Sequence, residues 1–303
     1  MPLWLILAIA CAGLTALPPL PSVRTSTVTS DPDDPAIWRH PSDPARSLVI
    51  GTDKLESTGG VYVFGMDGTV RQVITPLDRP NNVDVEYGVR LGAMVGDIAV
   101  VTERKQGRLR LYGIPLDGGP LTDLAPSGVP VLTGGSGDAS EPMGVAVYTR
   151  PRDGSVFVVV APKGGAATNY LAQYRLDATD DTGIRATLIR RFGHFSQKGA
   201  LLSAGEIEAV LVDDELGFVY YADERFGIRK WHADPDHPDA TRELAVFGTE
   251  HYRGDREGLA LYKGRGGKGF IVSADQIDGG SRLFLYRRDG ANAFAGVVPH
   301  PIG

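Results

Sequence analysis

The feature that most limits how this chain can fold is a three-part unit that recurs five times. Each copy has an acid leading into an apolar strand, then a strongly apolar strand that ends in polar residues, then an alternating strand with an aromatic. The first copy runs through Asp33-Asp34-Pro35-Ala36-Ile37-Trp38, then residues 47–54 ending in Asp53-Lys54, then residues 60–64 before an Asp67-Gly68 turn. The leading acids are Asp34, Asp84, Glu141, Glu208 and Glu257, separated by 50, 57, 67 and 49 residues. Units of this length, each with three or four short strands, are the signature of propeller blades. A pair of sandwiches would not repeat an acid at the same point of every unit. Residues 70–74 and 187–192 are candidates for outer, fourth strands. Only 46 residues follow Glu257, and no closing strand is recognisable before His300. The expected fold is therefore an all-β propeller of five visible blades. It is either a five-bladed ring or a six-bladed one whose last blade is absent or incomplete.

Composition agrees. Among 303 residues, 39 Gly and 21 Pro supply turns, and long helical periodicities are scarce. A net charge of −6 argues against a nucleic-acid partner, which would ask for a basic face. It leaves room for an anionic small molecule if local cations invert the field. Residues 1–23 carry no charged side chain, and the apolar run from Leu3 to Leu17 is short for a membrane span. Residues 1–22 are expected to be an export signal, with the propeller occupying 23–303 and the product secreted or periplasmic. The sole cysteine, Cys11, follows Ala8-Ile9-Ala10 and loosely resembles a lipoprotein box. It is either a lipid anchor or an apolar residue lost on maturation. A monomer without a stable membrane span is expected.

In a propeller the first strand of each blade lies along the central channel, so repeated acids would converge there. Taken alone, Asp33-Asp34-Pro35 is a turn or a cap. As one of several acids round a shaft, it would be a cation ligand, since clustered carboxylates repel unless protonated or bridged. Carboxylate oxygens in an irregular array suit Ca²⁺ better than Zn²⁺, and His194, His232 and His251 are scattered along the chain. Each second strand ends in a polar set, and those of three consecutive units carry Lys54, Arg104 and Lys163. Singly these are solvated strand ends. Together they would face Glu208, Glu224 and Glu257 across the channel mouth and cradle a phosphate. Metals beside such a cradle could activate water for hydrolysis of a phosphomonoester.

The runs 31–38, Gly51-Thr52-Asp53-Lys54, Asn81-Asn82-Val83-Asp84-Val85, 97–104, 208–224 and Glu257-Gly258-Leu259 resemble the β-propeller phytases, in order, over roughly residues 31–295. The resemblance implies a six-bladed, calcium-dependent, exported phosphatase that hydrolyses phytate through a metal-held water. It implies Asp34, Glu208, Glu224 and Glu257 as calcium ligands, with Asp33 in the same motif. It implies Lys54, Arg104 and Lys163 as phosphate-contacting bases, and counts them with Glu208 and Glu257 as catalytic. The sequence departs from the family pattern at Met143, where a tyrosine is usual, and at Leu55, where a second lysine is usual. A further acidic motif of a closing blade is not found in it. Competing readings are a non-catalytic phytase-like binding module and a propeller hydrolase of another class, such as a lactonase. The three bases argue against a neutral lactone.

Overall fold

Five antiparallel sheets follow one another along the chain, each a meander of neighbouring strands. The computed structural model describes residues 23–179, 183–196, 206–278 and 280–300; the expected signal and Cys11 lie outside these. Blade one comprises Pro32–Trp38, Leu48–Asp53, Gly59–Gly65 and Val70–Leu77. Blade two comprises Pro80–Leu91, Met94–Glu103 and Arg108–Ile114, with an outer edge in two pieces, Thr122–Asp123 and Val129–Pro130. Blade three comprises Pro142–Thr149, Val156–Pro162, Thr168–Ala178 and Ile184–His194. Blade four comprises Val210–Asp213, Phe218–Asp223, Gly227–His232 and Ala245–Phe247. Blade five comprises Asp255–Lys263, Gly269–Ile277, Gly280–Arg287 and Phe294–His300. No α-helix occurs among the described residues, and no helix is long and apolar enough to cross a membrane.

The strand assignments have local causes. Val156–Pro162 carries four valines among its seven residues and every residue is buried, as expected of a strand covered on both faces. The outer strand Val70–Leu77 alternates more and is largely exposed. Gly68 closes the Asp67-Gly68 turn at φ 79°, and a Cβ there would meet the Arg24 carbonyl oxygen at 2.1 Å. Only glycine satisfies both demands. Blade five also has a fourth, outer strand. Phe294–His300 pairs with Gly280–Arg287. Its Gly296 and Pro299 disguise it in the sequence, and an edge strand tolerates both.

The blades are held together by apolar layers between adjacent sheets. One hydrophobic cluster joins blades one and two, a second blades two and three, a third blades three and four, and a fourth blades four and five. None of the described clusters joins blade five to blade one. Trp38 is fully buried in the first of these layers, and its Nε1 donates to Asp97 Oδ2 at 2.8 Å.

Blades four and five also share a charged clamp. Arg288 is fully buried and donates from Nε to Asp213 Oδ2 at 2.6 Å and from Nη2 to Glu215 Oε2 at 2.8 Å. Replacing Arg288 by methionine strands the buried Asp213 carboxylate, so stability should fall by about 3–5 kcal/mol in urea titration. Adding Asp213→Leu should recover most of that loss. A single-mutant loss below about 1 kcal/mol would mean that the clamp is neutral.

Candidate active site

Strand register gives the blades a common frame, with the bulge of blade five one residue further from the reference pair than those of blades one to three. The first and second strands are paired at Pro35–Gly51, Val83–Val101, Val145–Val160, Val210–Tyr221 and Leu259–Ser273. Two residues before the first member of each pair stand Asp33, Asn81, Met143, Glu208 and Glu257. Three residues after the second member stand Lys54, Arg104, Lys163, Glu224 and Gln276. These positions form two rings at one end of the propeller. Nine of the ten line a single cavity of about 480 Å³. The tenth, Glu224, brings a carboxylate oxygen within 4.8 Å of those of Glu208 and Glu257.

The first ring owes its aim to β-bulges. The pairing slips between Pro32 and Pro35, Pro80 and Val83, Pro142 and Val145, and Asp255 and Gly258. A bulge inserts an extra residue and redirects a side chain, a device common beside active sites. It also splits the roles of Asp33 and Asp34. Asp33 Oδ1 takes the Lys54 ammonium at 2.7 Å and its Oδ2 takes Asn81 Nδ2 at 3.0 Å. Asp34 lines the cavity too, but its Oδ2 accepts the Val83 N–H at 3.0 Å and so ties blade one to blade two.

The five leading acids do not share one register, which corrects the reading from spacing. Glu208 and Glu257 do share it. Asp84 lies one residue past the reference pair, level with Ala36 and Ala146, and its Oδ2 accepts the Val147 N–H at 2.7 Å. Glu141 lies two residues before Met143 and accepts from Arg104 Nε and Lys105 Nζ, each at 2.8 Å. The histidines are also more ordered than scattered loop residues. His232 stacks on His237 with centroids 3.5 Å apart beside Asp239, and His194 Nε2 lies 2.8 Å from Arg229 Nη1. None of them lines the cavity. Asn81, Asn82 and Gln276 do line it and escaped reading by charge. Aligning the units on their paired apolar residues, rather than on their acids, would have found them.

The acidic side of the cavity is strained electrostatically. Burial, then the charges of Asp33 and Glu257, push the Glu208 carboxyl up to about 7. Burial, then Glu257 and Glu208, push Glu224 up to about 8. Burial raises Glu257 and Asp33 as well, the latter against the pull of Lys54. Glu224 Oε1, Asn81 Oδ1 and Asn82 Oδ1 are buried without a hydrogen-bond partner. Converging carboxylates with orphaned oxygens fit a hard, oxygen-seeking cation of the Ca²⁺ type, and the absence of imidazole or thiolate fits nothing softer. Asn81 Nδ2 holds Glu208 Oε1 at 3.0 Å and orients it.

Opposite stand the bases. Arg104 is held by Glu141, Lys163 by Glu206 and Lys54 by Asp33. Burial, then the neighbouring Arg104 charge, lowers the Lys163 ammonium below its usual range. A cation pressed against another cation gains from a dianion placed between them. The arrangement can thus neutralise a phosphate from one side while the other side collects metal.

Such a pairing at one end of a blade array defines a class: a β-propeller with a polar, charge-divided cavity. A family model described as Phytase matches residues 11–299. The chain belongs to the phytase family. It is 29% identical over 265 residues to a 3-phytase of Bacillus subtilis (strain 168), an alignment covering 86% of this chain and 63% of that protein. The chain therefore spans less than two thirds of this relative's length. A periplasmic gluconolactonase of Pseudomonas aeruginosa shares the fold at a TM-score of 0.50 and 13% identity, over 90% of this chain and 70% of that one.

Proposed function

We propose that this chain carries the active site of a calcium-dependent phosphomonoesterase that hydrolyses phytate. The observation that carries the reading is the pair of registered rings, which sets Glu208 and Glu257 in one cavity with Lys54, Arg104 and Lys163 and brings the Glu224 carboxylate against the two glutamates. Asp33, Glu208, Glu224 and Glu257 would hold the metal, with Asp34 bracing the Asp33 bulge from behind and lending an oxygen at the cavity wall. Calcium, when bound, would supply charge neutralisation and an activated water. Arg104 grips two phosphate oxygens from its planar fork, and Lys54 and Lys163 add point charges. Asn81 keeps Glu208 turned toward the metal side. Hydrolysis forms one P–O bond to water and breaks the ester P–O bond, with a proton passing to the leaving inositol oxygen.

Two further readings belong with this one. The chain is exported, residues 1–22 acting as the signal that carries Cys11. The working ring has six blades, the sixth lying between blade five and blade one. The lack of a described hydrophobic cluster across that gap supports this, as does Tyr262, which is 65% exposed on the first strand of blade five.

Phosphate release from phytate should require calcium and stop on addition of a chelator. No release at any calcium concentration would sink the assignment. Calcium-dependent binding of phytate without release would instead assign a binding module, a reading favoured by Met143, which brings no donor to the ring. Turnover of lactones without release from phosphoesters would assign the other hydrolase class.

A further inference from the structure

Four residues before the reference pairings of blades one to four stand Asp31, Arg79, Glu141 and Glu206. Three are acids, and Arg79 is the exception. We propose that Arg79 is a further substrate-gripping residue at the rim of this cavity, with Glu56 as its resting counter-ion. The proposal rests on the phosphomonoesterase reading and adds to it a residue that local sequence gave no reason to select.

The backbone at Arg79 is the first reason. Its φ is 57°, in the left-handed region that a long side chain adopts at a cost of about 1 kcal/mol. Two hydrogen bonds hold it there: the Arg79 N–H donates to the Leu55 carbonyl at 3.2 Å, and the Arg104 N–H donates to the Arg79 carbonyl at 3.1 Å. Pro80 follows and restricts the turn further. Strain maintained in this way points to a side chain that must be aimed. Arg79 lines the cavity, as Lys54 and Arg104 do.

The side chain itself is the second reason. Arg79 Nη1 donates to Glu56 Oε1 at 3.1 Å, while its Nε is buried and has no partner. Glu56 is more than half exposed and lies 3.8 Å from Lys105 Nζ as well. An ion pair with so open a partner holds weakly. A phosphate arriving at the rim would draw the guanidinium off Glu56 and into the cavity, where its Nε–Nη2 edge makes a charge-assisted bidentate grip.

The test is a cycle of variants in the calcium-loaded protein, with phytate as the probe in both steady-state kinetics and calorimetric binding. Arg79→Gly removes the side chain while suiting the left-handed backbone, so the melting temperature should hold or rise. It should raise KM and weaken binding about tenfold, with kcat nearly unchanged. Arg79→Lys should fall between. Glu56→Gln should lower KM about twofold in the parent and leave it unchanged in the Arg79→Gly background, because the effect of Glu56 acts through Arg79. Full parental affinity in Arg79→Gly would overturn this inference alone, as would a Glu56→Gln effect that persists without Arg79. A parent protein that neither binds nor hydrolyses phytate would overturn the phosphomonoesterase reading, and this inference with it.

Discussion

Glu208→Gln should cut calcium-dependent phosphate release from phytate by about 10³-fold while leaving the metal-free protein at least as stable as the parent. The two halves of this outcome have opposite signs for one reason. Glu208 is half-buried among Asp33, Glu257 and Glu224, so its charge is costly in the absence of a cation. Glutamine keeps the acceptor that Asn81 Nδ2 uses but removes the charge. It therefore relieves repulsion in the fold and abolishes a metal ligand together. An acid retained for structure would behave in the opposite way, lowering the melting temperature and sparing turnover. Measuring both quantities on the same sample separates the roles. Near-parental turnover would remove Glu208 from the site.

The second large effect is a pH dependence that calcium reverses. In the metal-free fold, Glu208 and Glu224 hold their protons up to about 7 and about 8. In the unfolded chain both release them near pH 4.3, as model glutamates do at about that value. Between those limits the folded state binds more protons than the unfolded chain, so its stability falls as pH rises. Below the window both states are protonated and the penalty vanishes. The two groups share one repulsion, which brings the combined loss to ~5 kcal/mol, or ~10 °C in melting temperature for a protein of this size. Calcium binds the ionised carboxylates, so its stabilising effect should grow from pH 5 to pH 8.5. Thermal scans with calcium and with a chelator across this range provide the check. A calcium shift of constant size at every pH would show that the cation binds elsewhere.

Much of this site was readable along the chain. The five units, their strand types and the outer strands at Val70–Leu77 and Ile184–His194 follow from alternation and turn chemistry, which act over a few residues. Lys54, Arg104, Lys163 and Glu224 could be found because each stands in the short set of residues that closes an apolar run whose end is plain in sequence. The first ring was harder. Asp84 looked equivalent to Glu208 because both are acids leading an apolar strand, yet Asp84 pins the neighbouring strand at Val147. Asn81, its true counterpart, carries no charge to attract notice. Arg79 was less visible still, since nothing in Asp78-Arg79-Pro80 announces a left-handed residue.

The difference has a physical cause. Which residues form strands, and which strand ends are charged, depends on local propensity and side-chain chemistry, and both are carried by short stretches of chain. Which of those charges meet depends on inter-strand register. One inserted residue at each bulge shifts that register, and the packing of blade against blade decides whether a carboxylate faces the cavity or a neighbour's backbone. Asp33 and Asp34 are adjacent in the chain and chemically identical. Only the bulge between Pro32 and Pro35 sends one to Lys54 and the other to the Val83 N–H.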